Sequence, residues 1–548
     1  MSRRAPTVWI VLSALALALL VVFLVWPLFN LLASSFATGK GTGQTGWARF
    51  FSDAKYLTAV GNTLILGVIV TASSTVIGVT LAYVTARFNF PLKALVAILP
   101  LTTLIVPEVI AAQTWLMLLG NNGIVTRSLG NYGIDLPSFY GWPGLIIVMT
   151  FIYYTYVYIG TLAAIKGFDA QLEEAAQSLG TSPGRSVLHV MIPVVMPAIL
   201  ASSLLVFTLV VGNFAVATLL GHKVLLLSVL TYITFNSEMG SDPIMQSTLA
   251  SVSIFIVAVT LFVQRWVVGR KRHEITQGRG AAPTRLTGLR SALLAGAASL
   301  VVLISVLPLL TLVVGAFTLT RGPVMYWGQF SFASIERMLI SAPDPLLNSL
   351  RFAATATAIG IGFSVIVSYL VVKKKNFLTP AIDYLAMLPL AISGTVLGIG
   401  LVITFNTGFL AMTGTASIIV AAYVIRRMPF GVRNASSTLY NIPSSIEEAS
   451  ISLGVPPVAT FFKVVLPVMA PAIAAAAVIT WTTTVAELSA SVVVYSAGLE
   501  TAPIQIFRLI DTGLTGRASA YGLALVVMII APIVVATRFF KIDLFQSR

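Results

Sequence analysis

Glu173-Glu174-Ala175-Ala176-Gln177-Ser178-Leu179-Gly180 recurs 274 positions further on as Glu447-Glu448-Ala449-Ser450-Ile451-Ser452-Leu453-Gly454, and 274 is half of the 548-residue chain. The match runs on through Pro183/Pro457, Pro193/Pro467 and Pro197/Pro471, with 13 identities in the 27 positions from 173 to 199. Self-similarity over this period means two copies of one unit in tandem. Upstream the offset widens to 286 at Asn62/Asn348 and Tyr83/Tyr369, and to 289 at Leu99-Pro100/Leu388-Pro389. The last change, from 289 to 274, falls in one connection, long in the first half (120–142) and short in the second (406–414).

The composition says where such units live. Hydrophobic residues make up 57% of the chain and charged residues only 9%, against roughly 25% in soluble domains. A membrane-spanning helix needs about 20 mostly apolar residues. Six such stretches fall in the first half, at 8–36, 58–86, 94–119, 143–165, 193–220 and 246–264. Six more follow at 291–318, 347–372, 379–405, 415–439, 467–497 and 518–537, the tenth interrupted by Arg426-Arg427. Those arginines read as snorkelling to the headgroups where the helix leaves the bilayer. The expected fold is all-α and polytopic, with twelve transmembrane helices as two parallel six-span repeats, 1–275 and 276–548.

Orientation follows from charge. Arg3 and Arg4 ahead of the first stretch place the amino terminus in the cytoplasm. Twelve crossings then put both termini and both repeated motifs there, in loops 166–192 and 440–466. With that threading, 23 of the 33 basic residues are cytoplasmic, and seven of them, Arg265 to Arg290, join the two units within reach of anionic lipid. The net charge of +15 is thus a topology signal, and nucleic acid is not expected as a partner.

The repeated motif makes sense as a docking element. Leu172, Ala175, Ala176 and Leu179 recur at helical spacing, a small-residue face that a partner can approach closely. The glutamate pairs offer charge to an arginine-bearing partner. Gly180 and Gly454 end the helix, Pro183 and Pro457 start the next, and Pro193 and Pro467 mark the start of the following span.

Glu174-Ala175-Ala176, Gly180 and Ile192-Pro193, with Glu448-Ala449-Ser450, Gly454 and Leu466-Pro467 in the second copy, resemble the cytoplasmic signature of permease subunits of ATP-binding-cassette importers. Serine for alanine at Ser450 is a small-for-small departure. The resemblance implies a type I importer permease. Its coupling helices, carrying Glu173, Glu174, Ala175, Ala176, Gly180, Pro193, Glu447, Glu448, Ala449, Ser450, Gly454 and Pro467, would dock two copies of an ABC ATPase. It also implies an extracytoplasmic substrate-binding protein and a bacterial inner membrane. The run Glu487 to Gly498, with Thr501 and Ile504-Gln505-Ile506-Phe507, resembles the ferric-iron permease group, as does Gly212 to Gly221. Thiamine, polyamine and aminoethylphosphonate permeases share much of this, so the substrate stays open.

The chemistry of the chain fits a transport subunit better than an enzyme. No Gly-x-x-x-x-Gly-Lys-[Ser/Thr] phosphate loop occurs, so ATP is expected on a partner and no cofactor on this chain. Gly180-Thr181-Ser182-Pro183-Gly184 matches a hydrolase elbow, but a helix precedes it and the second copy has no serine. The three histidines are scattered and there is no cysteine. Two acids fall within apparent spans, Glu108 and Glu487, and Asn213 stands 274 positions before Glu487. Acids inside a membrane usually face a cavity or the bundle interior. Glu108, Asn213 and Glu487 are therefore the candidates for the translocation path, with interhelical packing as the competing role. Pro107 should kink the third span, and Gly394-x-x-x-Gly398 permits close helix packing. An ion-coupled secondary transporter could also carry a six-plus-six repeat, though its duplicated cytoplasmic motif would lack a role.

Overall fold

The computed structural model describes residues 7–38, 43–236, 242–270, 283–285, 288–322 and 324–540. Arg3, Arg4, most of the basic linker and the carboxyl-terminal residues 541–548 lie outside them. Among the described residues, nine continuous helices are long and apolar enough to cross a membrane. In the first half they are Val8–Ser35, Ala54–Arg87, Trp142–Lys166, Pro183–Val211 and Pro243–Trp266, and in the second Ser291–Ala316, Asp344–Lys373, Pro457–Val485 and Thr515–Arg538. Two pairs of sharply bent helices are apolar enough only when each pair is taken together. Lys93–Ile105 meets Glu108–Gly130 at 109°, and Thr379–Ala391 meets Gly394–Phe405 at 114°. The tenth predicted stretch is the 26-residue helix Ala416–Asn441. At 1.5 Å per residue it is ~39 Å long, enough to span, but Arg426, Arg427 and Arg433 on it keep it from reading as apolar.

The first bend is the one Pro107 predicts, since proline cannot continue the hydrogen-bond ladder. The second has no proline at the break. There Ser393 adopts an extended backbone and its hydroxyl caps Val396 N at 3.3 Å, starting a new helix instead. Predicted spans five and eleven are re-bounded. Each helix begins at Pro183 or Pro457 and ends at Val211 or Val485, and the apolar residues beyond it turn into the short buried helices Ala215–Gly221 and Ser491–Val494. Pro193 and Pro467 consequently lie inside a helix and not at its start. Each follows a π-helical turn, Val187–Met191 or Phe461–Val465. A wide turn shifts the bonding register and accommodates the missing N–H. The repeat therefore preserves an irregularity as well as a sequence.

In both halves the second and fourth spans pack closely through small residues. A Cβ on Gly78 would sit 2.8 Å from Tyr154 O. In the second half the contact is made by hydroxyls, Ser368 donating to Val432 O at 3.0 Å and Ser364 to Met428 O at 3.3 Å. Close backbone approach of this kind is how helices associate in lipid. The first span of each half lies against the other half. Trp9 stacks edge-on to Tyr369 with ring centroids 5.2 Å apart, and Asn30 donates to Thr404 at 3.1 Å. Reciprocally Leu312, on the first span of the second half, shares a buried cluster with Ile110. A hairpin, Thr318–Arg321 with Val324–Phe330, is the main departure from helix.

Candidate functional site: coupling helices and a buried polar centre

The two repeated motifs fold alike. Ala170–Ser178 and Ser444–Ser452 are nine-residue helices. Asp169 caps the first by accepting from Gln171 N at 3.1 Å. Each ends as its glycine predicts, in the left-handed region, with φ of 90° at Gly180 and 87° at Gly454. Thr181 N reaches back to Ala176 O at 3.1 Å and Val455 N to Ser450 O at 3.2 Å, closing the last turn. Just before the glycines, Leu179 and Leu453 are 88% and 85% exposed, an unusual placement for leucine repeated in both halves. Glu174, Ala175, Glu448 and Ala449 are also exposed, Ala176 is half-buried, and Ser450 is buried against Thr460 at 3.0 Å.

The paired glutamates part company. Glu174 and Glu448 face outward, but Glu173 and Glu447 are buried and used within the chain. Glu173 pairs with Arg87 at the end of the second span. Glu447 accepts from Lys374 Nζ at 2.7 Å and from Tyr369 Oη at 2.9 Å, at the corresponding end of the eighth span. Only the second glutamate of each pair can meet an outside partner. The first ties the motif helix to a membrane-spanning helix. Arg87 and Lys374 were not singled out by the sequence, although their place just after the aligned Tyr83/Tyr369 is visible in it.

The polar candidates in the membrane meet at the chain breaks. Glu108 is the first residue after the bend of the third span. Tyr153 Oη donates to Glu108 Oε1 at 2.6 Å and Asn213 Nδ2 to Glu108 Oε2 at 2.7 Å. Asn213 Oδ1 accepts from Val216 N at 2.9 Å, so this side chain caps the short helix Ala215–Gly221. In the second half Glu487 does the same, its Oε1 accepting from Ala490 N at 3.1 Å. Its Oε2 accepts from Arg426 Nε at 2.8 Å and pairs with Arg427. Asn213 and Glu487 are each 3% exposed. They are thus equivalent, as the 274 offset implies, but they stand in turns just past the helix ends and not on the helices themselves. Broken helices inside a membrane leave backbone N–H groups that only protein can satisfy, and these side chains do so.

Arg426 and Arg427 do not snorkel to the headgroups. Glu487 holds both of them inward, its buried carboxylate pairing with each guanidinium. Two of the basic residues assigned to the cytoplasmic surface therefore belong to the interior. The two clusters are neighbours across the halves. Arg426, Arg427 and Glu487 all lie within electrostatic reach of Glu108. At the same centre a Cβ on Gly212 would lie 3.5 Å from that of Ser393.

The sequence profile described as binding-protein-dependent transport system inner membrane component matches twice, over residues 74–273 and 356–542. Among similar proteins is the ferric transport system permease protein of Actinobacillus pleuropneumoniae, 26% identical over 531 residues that cover 95% of this chain and 77% of the relative. Another is an Fe(3+)-transport system permease protein of Haemophilus influenzae, 23% identical over 489 residues, 88% of this chain and 89% of the relative. With the profile matched in both halves, the chain belongs to the family of binding-protein-dependent transport system inner membrane components, as a fused two-unit permease and a transport subunit rather than an enzyme.

Proposed function

We propose that this permease carries ferric iron, delivered by an extracytoplasmic binding protein, into the cytoplasm, driven by two copies of a separate ABC ATPase. The names of its relatives support the substrate. Among the described residues no group of three His, Cys, Asp or Glu could hold a metal ion, so the reading assigns iron selection to the binding protein. The ATPase binds the ATP and this chain binds no cofactor. Both termini lie in the cytoplasm with loops 166–192 and 440–466.

The observation that carries the ATPase reading is the pair of exposed tips. Each coupling helix presents a leucine, an alanine and a glutamate outward, and each is anchored from behind by Arg87–Glu173 or Lys374–Glu447. A partner closing beneath both helices would push them as levers against spans two and eight and reorganise the centre, where Glu108, Asn213 and Glu487 line the path. The units 1–275 and 276–548 contribute one side each. The test is uptake of labelled ferric iron by proteoliposomes holding the permease, its ATPase and the loaded binding protein. Iron uptake that needs ATP, and that Gly454→Asp abolishes, is expected. Normal substrate-stimulated ATP hydrolysis by the Gly454→Asp complex would remove the coupling assignment, and stimulation by thiamine, a polyamine or aminoethylphosphonate in place of iron would change the substrate.

A further inference from the structure

The second half carries a basic cleft on the face opposite the coupling helices. Asp344–Lys373 ends beside Glu447 on the coupling face, so its beginning marks the other face. There two adjoining clefts, of ≈ 310 Å³ and ≈ 350 Å³, share Ser334, Arg337 and Arg517. Gln505 and Tyr521 line the first and Arg321 the second. Arg337 is exposed and Arg517 half-buried, and among the described residues neither forms an ion pair. Asp344 acts electrostatically on Tyr521, as Arg517 does, yet pairs with neither arginine.

The first half supplies the comparison. Its corresponding corner lies between the short helix Gly46–Ser52, which precedes the second span, and the start of the last span at Pro243. There the guanidinium is already paired, Arg49 Nη1 meeting Asp242 Oδ2 at 2.6 Å, with Asp53 close by. The position 274 after Asp242 is Gly516, followed by Arg517. Glycine stands where the first half has its acid and a second guanidinium follows, so the second half has two like charges facing a cleft where its twin has a closed pair. Guanidinium groups arranged in this way bind carboxylate strongly and with defined geometry.

We propose that this cleft receives an acidic side chain of the extracytoplasmic binding protein, whose carboxylate takes the place in the second half that Asp242 holds in the first. The proposal rests on the importer reading above and adds to it an orientation. Among the described residues only the second half has the unfilled corner, so the binding protein docks one way round, with an acidic lobe over the second half.

The experiment uses the whole complex of permease and ATPase in lipid nanodiscs and measures its affinity for the loaded binding protein. Arg337→Glu with Arg517→Glu should weaken binding by about tenfold or more, in a complex that still co-purifies with its ATPase. Arg337→Lys with Arg517→Lys should keep most of the affinity, and wild-type affinity should fall as salt rises. Equal affinity in wild type and the glutamate variant would overturn the proposal, as would an equal loss in the lysine variant. Unchanged binding-protein affinity together with a lost response to millimolar phosphate would assign the cleft to a free anion and also overturn it. A wild-type complex that no binding protein stimulates would instead remove the importer reading, a result separable from all of these.

Discussion

Arg427 meets Glu487 at the place in the second half where, 274 positions earlier, Tyr153 meets Asn213. One register thus holds a charged pair in one unit and a neutral hydrogen bond in the other. The acid of the first unit comes from a different element, the bend at Glu108. The centre has two carboxylates and two guanidiniums, with no symmetry between them.

Removing one member of such a group is costlier than removing both. Breaking a buried pair typically costs about 3–5 kcal/mol because a charge is left without a partner. Glu487→Ala should therefore lower the thermal midpoint of the purified complex sharply, and Glu487→Ala with Arg427→Met should recover part of the loss. Uptake measured at matched protein levels separates a path role from packing. If Glu487→Gln and Glu487→Ala both transported as wild type, the path role would be gone.

The buried glutamates of the coupling helices should act through their basic partners. Arg87→Gln or Lys374→Gln is expected to reduce uptake several-fold while ATP hydrolysis by the complex persists, since the helix would still dock but no longer move its span. The exchange Arg87→Glu with Glu173→Arg should restore part of the transport. Glu447→Gln, which can still accept from Tyr369, should be milder than Glu447→Ala. Uptake and hydrolysis measured on the same proteoliposomes decide this.

At Gly180 and Gly454 the demand is for backbone conformation and not for space. A Cβ at either would meet nothing within 4 Å, but a left-handed residue with a side chain costs roughly 1–2 kcal/mol. Gly454→Ala should fray the end of Ser444–Ser452, raising amide exchange there, and Gly454→Asn should do so less because asparagine tolerates this region.

Gly398 makes the opposite demand. Its Cβ would lie 2.9 Å from that of Val493, and a Cβ on Gly394 would lie 2.8 Å from Ala490 N. Gly398→Val should therefore abolish recovery of a monodisperse protein. Gly362→Ala, where the added carbon meets nothing within 4 Å, should leave size-exclusion behaviour unchanged.

The spans, the repeat and the glycine-ended helices of the repeated motif were legible because each rests on a local signal: apolar length, internal identity, or one residue with a special backbone. Pro107 announced the first bend for the same reason. The second bend was hidden, since Ser393 interrupts the helix only by capping its successor. Arg426 and Arg427 were misplaced because charge next to an apolar run looks like a boundary until its partner, Glu487, 60 positions away from Arg427, is brought beside it. Glu173 and Glu447 were read as surface for a like reason. Their partners end other helices, and helical spacing within one segment does not report them.

The first span of each unit leans on the other, through Trp9 on Tyr369 and Leu312 beside Ile110. Gene fusion has a consequence here that a pair of identical subunits could not share. Two copies of the second unit would bring two Glu487 carboxylates and four guanidiniums to one axis, and two of the first would bring none of the guanidiniums. In a single polypeptide every assembled transporter receives one of each, so mutation can specialise the two sides independently while stoichiometry stays fixed by translation itself.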